Sequence, residues 1–141
     1  MKISAKMDYA CRALLELALH WPDLTPMQIS EIAKRQKIPI KFLVHIMIHL
    51  KERGYVNSVR GNKGGYLLAK APAEIHFGEV IENFGGLGEP REEKRKHRNL
   101  HTLELVWQEI DAGVKNIMDA ITLEAICTRE RSKGKALTYD I

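Results

Sequence analysis

The chain has 141 residues, 45% of them hydrophobic and 28% charged, which suits one domain with its own core. No apolar run reaches the ~18 residues of a membrane span and the start lacks the apolar core of a secretory signal, so we expect a cytoplasmic protein without a membrane partner. Two cysteines exclude a disulfide framework. The net charge is +4, but residues 1–70 carry +7 and the remainder −3. This asymmetry indicates either a nucleic acid at one end or a chance distribution of surface charge.

Two helices are predicted at the start of the chain. The first runs from Ser4, its N-cap, to about His20, with apolar residues at three- and four-residue steps. The second is expected from about Pro26 to Gln36, with Thr25 as its N-cap and Pro26 as its first residue, a position that proline tolerates. Its buried face is expected to hold Ile29, Ile32 and Ala33.

A third helix is predicted to open at Pro39 and to end near Gly54, a favourable residue after a helix. The turn between the second and third helices is so short that the pair forms a helix-turn-helix. Lys37 stands where such turns often have glycine, at a cost of ~1 kcal/mol if its backbone is left-handed. The buried face of the third helix is predicted to consist of Phe42, Leu43, Ile46, Met47 and Leu50.

The stretch VRGNKGGYLLAKAP, residues 59–72, predicts a basic hairpin with strands at Tyr55–Val59 and Tyr66–Ala69. The turn residues Gly61, Gly64 and Gly65 allow positive φ between the strands. A hairpin directly after a helix-turn-helix is a wing, placed to touch the DNA backbone or to enter the minor groove. The alternative is a surface hairpin whose charges are merely solvated.

A short fourth helix is predicted at Phe77–Asn83, so that residues 1–84 form a winged helix-turn-helix domain. Residues 85–101 are almost without apolar side chains and are expected to be a flexible charged loop. Residues 102–141 then give a long helix from Thr102 to Ala120, a short helix from Thr122 and a basic tail. The apolar row of the long helix favours pairing with a second copy over packing on the chain's own first helix: Leu103, Val106, Trp107, Ile110, Val114, Ile117 and Met118.

Three segments resemble the Rrf-two family of bacterial regulators, of the IscR, NsrR and CymR type: DYACRALLELA, ISEIAKRQKIPIKFLVHIMIHLKERGYV and the wing stretch itself. The resemblance covers residues 1–84 closely, and the long helix with ITLEAI more loosely. It implies a mainly α fold with a small β-hairpin, a winged helix-turn-helix followed by a long dimerisation helix. It also implies a homodimeric transcription regulator, more a repressor than an activator, that reads a palindromic operator in double-stranded DNA.

By match to the family pattern, the third helix enters the major groove and the wing enters the minor groove. The implied DNA-binding residues are Pro39, Lys41, Val44, His45, Arg60 and Lys63. Val44 and Ile48 depart from expectation, because polar residues would serve better on an exposed reading face. Val44 could pack on a thymine methyl. Alternatively, this face binds a protein, and the chain is an interaction module that no longer reads bases.

Many relatives in this family bind an iron–sulfur cluster through three cysteines in the loop before the long helix. Here the loop 85–101 contains no cysteine, so no iron–sulfur cluster is expected and no cofactor is assigned. His97, His101 and Asp8 leave open a metal site of another kind. The effector is then a small molecule or a partner protein.

An enzyme is not expected, because the sequence shows no nucleophile–base pair and no phosphate-binding loop.

Overall fold

The computed structural model describes residues 2–87 and 101–139, of which 134–139 are described by their backbone alone. This part of the chain has six α-helices and one two-stranded antiparallel hairpin, as the sequence predicts. The elements in order are α1 (Ala5–Leu19), α2 (Ile29–Gln36), α3 (Ile40–Glu52), β1 (Val56–Val59), β2 (Gly65–Leu68), α4 (Phe77–Asn83), α5 (His101–Ala120) and α6 (Leu123–Tyr139). None of the helices in these residues has the length and apolar character needed to cross a membrane.

Helix α1 lies at the centre of the domain, with α2, α3 and α6 packed around it. It begins as predicted, because the Ser4 hydroxyl accepts a hydrogen bond from the Met7 backbone N–H at 3.1 Å. The apolar part of its buried face combines three alanines with three larger side chains, and the alanines leave room for neighbouring helices. That face consists of Met7, Ala10, Ala13, Leu14, Leu17 and Ala18.

Helix α2 begins at Ile29, three residues later than predicted, and its N-cap is Gln28 rather than Thr25. The Thr25 N–H and hydroxyl instead donate to the Asp23 carboxylate, at 2.9 and 2.7 Å. Pro26 also lies outside the helix. The physical reason is the next residue, Met27, whose backbone pairs with Tyr66 of the hairpin and must therefore be extended.

The turn between α2 and α3 is confirmed: Lys37 has φ 54°, in the left-handed region, and its N–H bonds back to Ala33. Pro39 is the N-cap of α3 rather than its first residue, since the helix begins at Ile40. At the other end Gly54 follows the C-cap Arg53 with φ 81°, which explains why glycine stands there.

One predicted core residue of α3 is not in the core. Phe42 is 52% exposed, whereas Leu43, Ile46, Met47 and Leu50 are buried. Phe42 lies on the flank of α3 that turns towards the start of α1, where a cavity separates the two helices.

Helices α4, α5 and α6 complete the described chain. The segment that joins α5 to α6 is bound to the body by two backbone hydrogen bonds, from Phe77 N–H to Ile121 (2.8 Å) and from Leu123 N–H to Ile75 (2.9 Å). Helix α6 packs along α1 and extends for 17 residues, much longer than the short helix that was predicted. Of the charged loop predicted at 85–101, residues 88–100 lie outside the described residues.

Candidate nucleic-acid interface

Helix α3 presents a row of four exposed side chains on the side opposite its buried residues. We call Lys41, Val44, His45 and Ile48 the outward face of α3; Val44 and His45 each lie three or four residues from both Lys41 and Ile48, so the four share one side of the helix. Val44 is 38% exposed and Ile48 46%. Lys41 is near the start of the helix, where a long cationic side chain can reach beyond the helix end. The face can therefore offer one ammonium group, one imidazole and two apolar surfaces to a partner.

The wing carries its cations at the tip, where both Arg60 and Lys63 are exposed. Strands β1 and β2 pair from Val56 opposite Leu68 to Val59 opposite Gly65, so residues 60–64 form the connecting turn. A backbone hydrogen bond from Gly64 to Gly61, 3.0 Å long, closes this turn. The hairpin thus holds two cationic side chains on a short and closed turn.

Glycine is needed at the three wing positions for different reasons. Gly61 (φ 105°) and Gly65 (φ 144°) adopt positive φ, as predicted, but Gly64 does not. At Gly64 the reason is space, because a Cβ atom there would overlap the carbonyl oxygen of Val59. A Cβ at Gly65 would overlap the carbonyl of Met27, whereas one at Gly61 would meet open space.

Three contacts hold the wing against the helix-turn-helix. Met27 and Tyr66 exchange two backbone hydrogen bonds of 2.8 Å, so the residues before α2 act as a third, single-residue strand. The Gln28 side-chain amide donates to the carbonyl of Asn62 at the wing tip (2.9 Å). At the end of α3, the Lys51 ammonium donates to the Ser58 hydroxyl (2.7 Å). Sequence reasoning missed all three: Met27 and Gln28 contact residues more than 30 positions away, and no sequence pattern marks the contact of Lys51 with Ser58 seven residues later.

A polar cluster fixes α2 to α1. Glu16 is only 6% exposed, and its carboxylate accepts a hydrogen bond from the Gln36 side chain at 2.8 Å and lies 3.3 Å from the Arg35 guanidinium. Arg12 donates to the Gln36 carbonyl (2.6 Å) and so satisfies the end of α2. Arg12 also pairs with Asp8 (3.1 Å), so this carboxylate has a structural partner within its own helix.

A cavity of about 320 Å³ lies between the start of α1 and the middle of α3. Two of its lining residues, Phe42 and His45, belong to the exposed side of α3. The volume is at the lower end of the range for small-molecule sites. The lining residues are Ala5, Lys6, Tyr9, Phe42, His45 and Ile46.

The cysteines do not fit an iron–sulfur cluster, whose irons bind thiolates. Cys11 lies inside α1, where burial, and then the neighbouring Asp8 carboxylate, raise the pKa of its thiol to about 12. Cys127 is buried in α6, and burial raises its pKa as well. His101 is the exposed first residue of α5, and His97 lies outside the described residues. No group of three His, Cys, Asp or Glu side chains suited to a metal ion occurs in residues 2–87 and 101–139.

Helix α5 presents the apolar row predicted for dimerisation, and none of its residues is buried within the chain. It contacts the body through α4, while α6 is the helix that packs along α1. Met118, near the end of the row, is half-buried against the core. The other members are more exposed: Leu103 (51%), Val106 (42%), Trp107 (39%), Ile110 (46%), Val114 (36%) and Ile117 (65%).

Comparisons with known proteins agree on one family. The model of the Rrf2 family, described as iron-dependent transcriptional regulator, matches residues 3–129. An HTH-type transcriptional regulator of Synechocystis sp., slr0846, is 35% identical over 136 residues, 94% of this chain and 91% of that protein. The solved structure of CymR, the global cysteine regulator of B. subtilis, has a TM-score of 0.80 at 30% identity and covers 92% of this chain and 98% of its own. T. potens IscR has a TM-score of 0.76 at 29% identity, with 92% and 88% covered.

Proposed function

Since this chain belongs to the Rrf2 family of winged-helix, DNA-binding transcription regulators, we propose that it is a homodimeric repressor in the cytoplasm that reads a palindromic operator. The observation that supports this most is the outward face of α3 standing beside a basic wing that three contacts hold in place. The family consists of transcription regulators rather than enzymes, in line with the expectation from the sequence.

In this proposal α3 enters the major groove, which is wide enough for one helix. Lys41, following Pro39 at the helix start, reaches a phosphate or the acceptor atoms of guanine, and His45 donates to or accepts from a base edge one turn further on. The guanidinium of Arg60 enters the narrow minor groove, and Lys63 neutralises a phosphate. The tethered wing supports this arrangement, because a wing fixed to α3 contacts the backbone at a constant distance from the bases.

We propose that the apolar row of α5 binds the same row of a second copy. A helix of 20 residues is ~30 Å long, and its exposed row covers several turns. Removing such a row from water stabilises a dimer by ~25 cal/mol for each Å² of apolar surface buried. The chain's own first helix is already covered by α6, which leaves a second copy as the partner that fits this row.

Repression needs only occupation of the operator, for which a DNA-reading surface and a dimerisation surface suffice. We propose that the protein works without an iron–sulfur cluster, because the chain has two cysteines in all, one inside α1 and one buried in α6, and burial raises the pKa of both thiols. A small molecule or a partner protein then supplies the signal. The cavity beside Phe42 and His45 supports a small molecule, since a ligand there would touch the reading helix directly.

Selection of bound sequences from random double-stranded DNA, with and without added ferrous iron and sulfide, tests the proposal. We expect the same palindrome in both selections, and binding that weakens steeply with salt because phosphate contacts release counterions. Enrichment only with iron would contradict the cofactor-free proposal. Failure to enrich any DNA would contradict DNA reading itself and would favour the interaction module.

Replacing Arg60 by alanine tests the wing. We expect operator affinity to fall by ~1–3 kcal/mol and preference at the wing-facing bases to relax, since one guanidinium is lost from the groove. Arg129→Ala is the matched control, because Arg129 is an exposed arginine of α6 outside the candidate interface. The measurement is a fluorescence anisotropy titration of labelled operator. Equal affinity for the wild type and Arg60→Ala would remove the wing from the mechanism.

A further inference from the structure

The outward face of α3 is unusually apolar for a surface that faces DNA. Val44 and Ile48 lie one turn apart on it, and Ile40, 49% exposed, continues the row one turn towards the helix start. All three side chains are β-branched and carry no donor or acceptor. Single exposed apolar residues are common on protein surfaces, but an exposed apolar row over three successive turns of one helix indicates a binding site.

The charges around this row identify the class of partner. Lys41 stands on the same face, Lys51 follows at the end of the helix, and Arg60 lies on the wing that Lys51 contacts. An apolar row bordered by cations fits a polyanion that also offers apolar groups. Double-stranded DNA has this combination, because its major groove exposes the C5-methyl of thymine between two lines of phosphates.

We infer, on the premise of the proposed function, that Val44 and Ile48 determine specificity by packing on thymine methyl groups, so that each half-site is read partly by apolar contact. The thymine methyl is the one apolar feature that the major groove edges of the four bases present. Residues four apart on a helix rise by ~6 Å. Neighbouring bases on one strand are ~3.4 Å apart, so the two side chains reach thymines about two steps from each other.

Thymine-to-deoxyuridine substitution in the selected operator tests this inference, because it removes the methyl and leaves every hydrogen-bonding atom in place. Each thymine of one half-site is replaced in turn and the dissociation constant is measured at fixed salt. We expect about fourfold weaker binding at one or two positions, the amount that corresponds to one buried methyl. At the other thymines the affinity should stay unchanged.

Variants assign the effect to the two residues. Val44→Ala and Ile48→Ala should each bind the unmodified operator more weakly than the wild type does. For each variant there should be one thymine whose replacement by deoxyuridine no longer weakens binding. Leu24→Ala is the control, since Leu24 is an exposed leucine between α1 and α2 and its replacement should leave the uracil effect intact. All three positions are exposed, so the fold should persist, which circular dichroism and the Tm verify.

The outcomes separate the inference from the proposed function. An operator that is bound tightly but is indifferent to uracil at every position would overturn the inference and leave DNA reading in place. An equal loss at every thymine, unchanged in both variants, would point to DNA shape and would also overturn it. If selection enriches no DNA while a protein binds through Val44 and Ile48, both the inference and the proposed function fail.

Discussion

At the scale of single residues, the two cysteines differ from reactive thiols in their surroundings. Burial, and then the Asp8 carboxylate, raise the pKa of Cys11 from 9.0 to about 12, and burial also raises that of Cys127. Because the thiolate is the nucleophile, we expect both to react far more slowly with a disulfide reagent than free cysteine does near pH 8. In concentrated guanidinium both should react quickly, at two thiols per chain. A fast reaction of the native protein would contradict the partial burial of Cys11 and the burial of Cys127.

The raised pKa of Cys11 makes the folded protein less stable at alkaline pH. The fold favours the neutral thiol of Cys11, so its contribution to the free energy of unfolding is complete below about pH 9 and is lost as the pH rises towards 12. Replacing Cys11 by alanine should remove this part of the alkaline dependence. Urea denaturation at a series of alkaline pH values measures it, and parallel curves for wild type and variant would contradict it.

The role of a residue could be predicted from the sequence where its neighbours along the chain determine that role. The short spacing of the two helices predicts the turn at Lys37, with a cost only if its backbone is left-handed, and its φ of 54° lies in that region. Phe42 was predicted on one buried face with Leu43 and Ile46, but it lies on the exposed flank of α3. Gln28 and Lys51 gave no signal, since their partners in the wing are fixed only by the tertiary fold.

At the scale of elements, the wing depends on close backbone approach at Gly64. Gly64→Ala would place a Cβ against the carbonyl of Val59 and open the turn, so we expect a loss of roughly 2 kcal/mol or more in stability. Operator affinity should fall as well, because the tip residues would be displaced. Gly61→Ala is the matched control: its Cβ meets open space and only the positive φ is strained, at about 1 kcal/mol. Thermal unfolding and operator titration of both variants measure the difference.

The sequence predicted a helix boundary correctly where a capping residue sets it. It failed where a tertiary contact sets the boundary. The Ser4 cap set the start of α1 correctly. Thr25 and Pro26 offered an equally plausible start for α2, but pairing between Met27 and Tyr66 forces the chain to stay extended until Gln28. The length of α6 was underestimated, because its polar second half has no apolar period to extend the prediction.

At the scale of the whole molecule, the surface proposed to read DNA and the surface proposed to bind a second copy lie on different elements. The polar cluster around Glu16 and the three wing contacts hold α2, α3 and the hairpin in one orientation. Helix α5 is joined to the same body through α4 and through the Phe77–Ile121 hydrogen bond. If two copies pair through α5, the separation of their reading helices is therefore set by packed elements, which is what a palindrome with fixed half-site spacing requires.

Ile110→Glu tests this coupling, because it places a charge in the middle of the α5 row, where a dimer would have to bury it. We expect the variant to be monomeric by sedimentation equilibrium and to bind the palindrome roughly 100-fold more weakly, since two linked half-sites are no longer engaged together. Gln108→Glu is the control, with the same charge at an exposed position off the row. Its assembly should be unchanged. Should Ile110→Glu remain dimeric at micromolar concentration with full operator affinity, a different surface must join the two copies, and the distance between the reading helices would have to be derived from that surface instead.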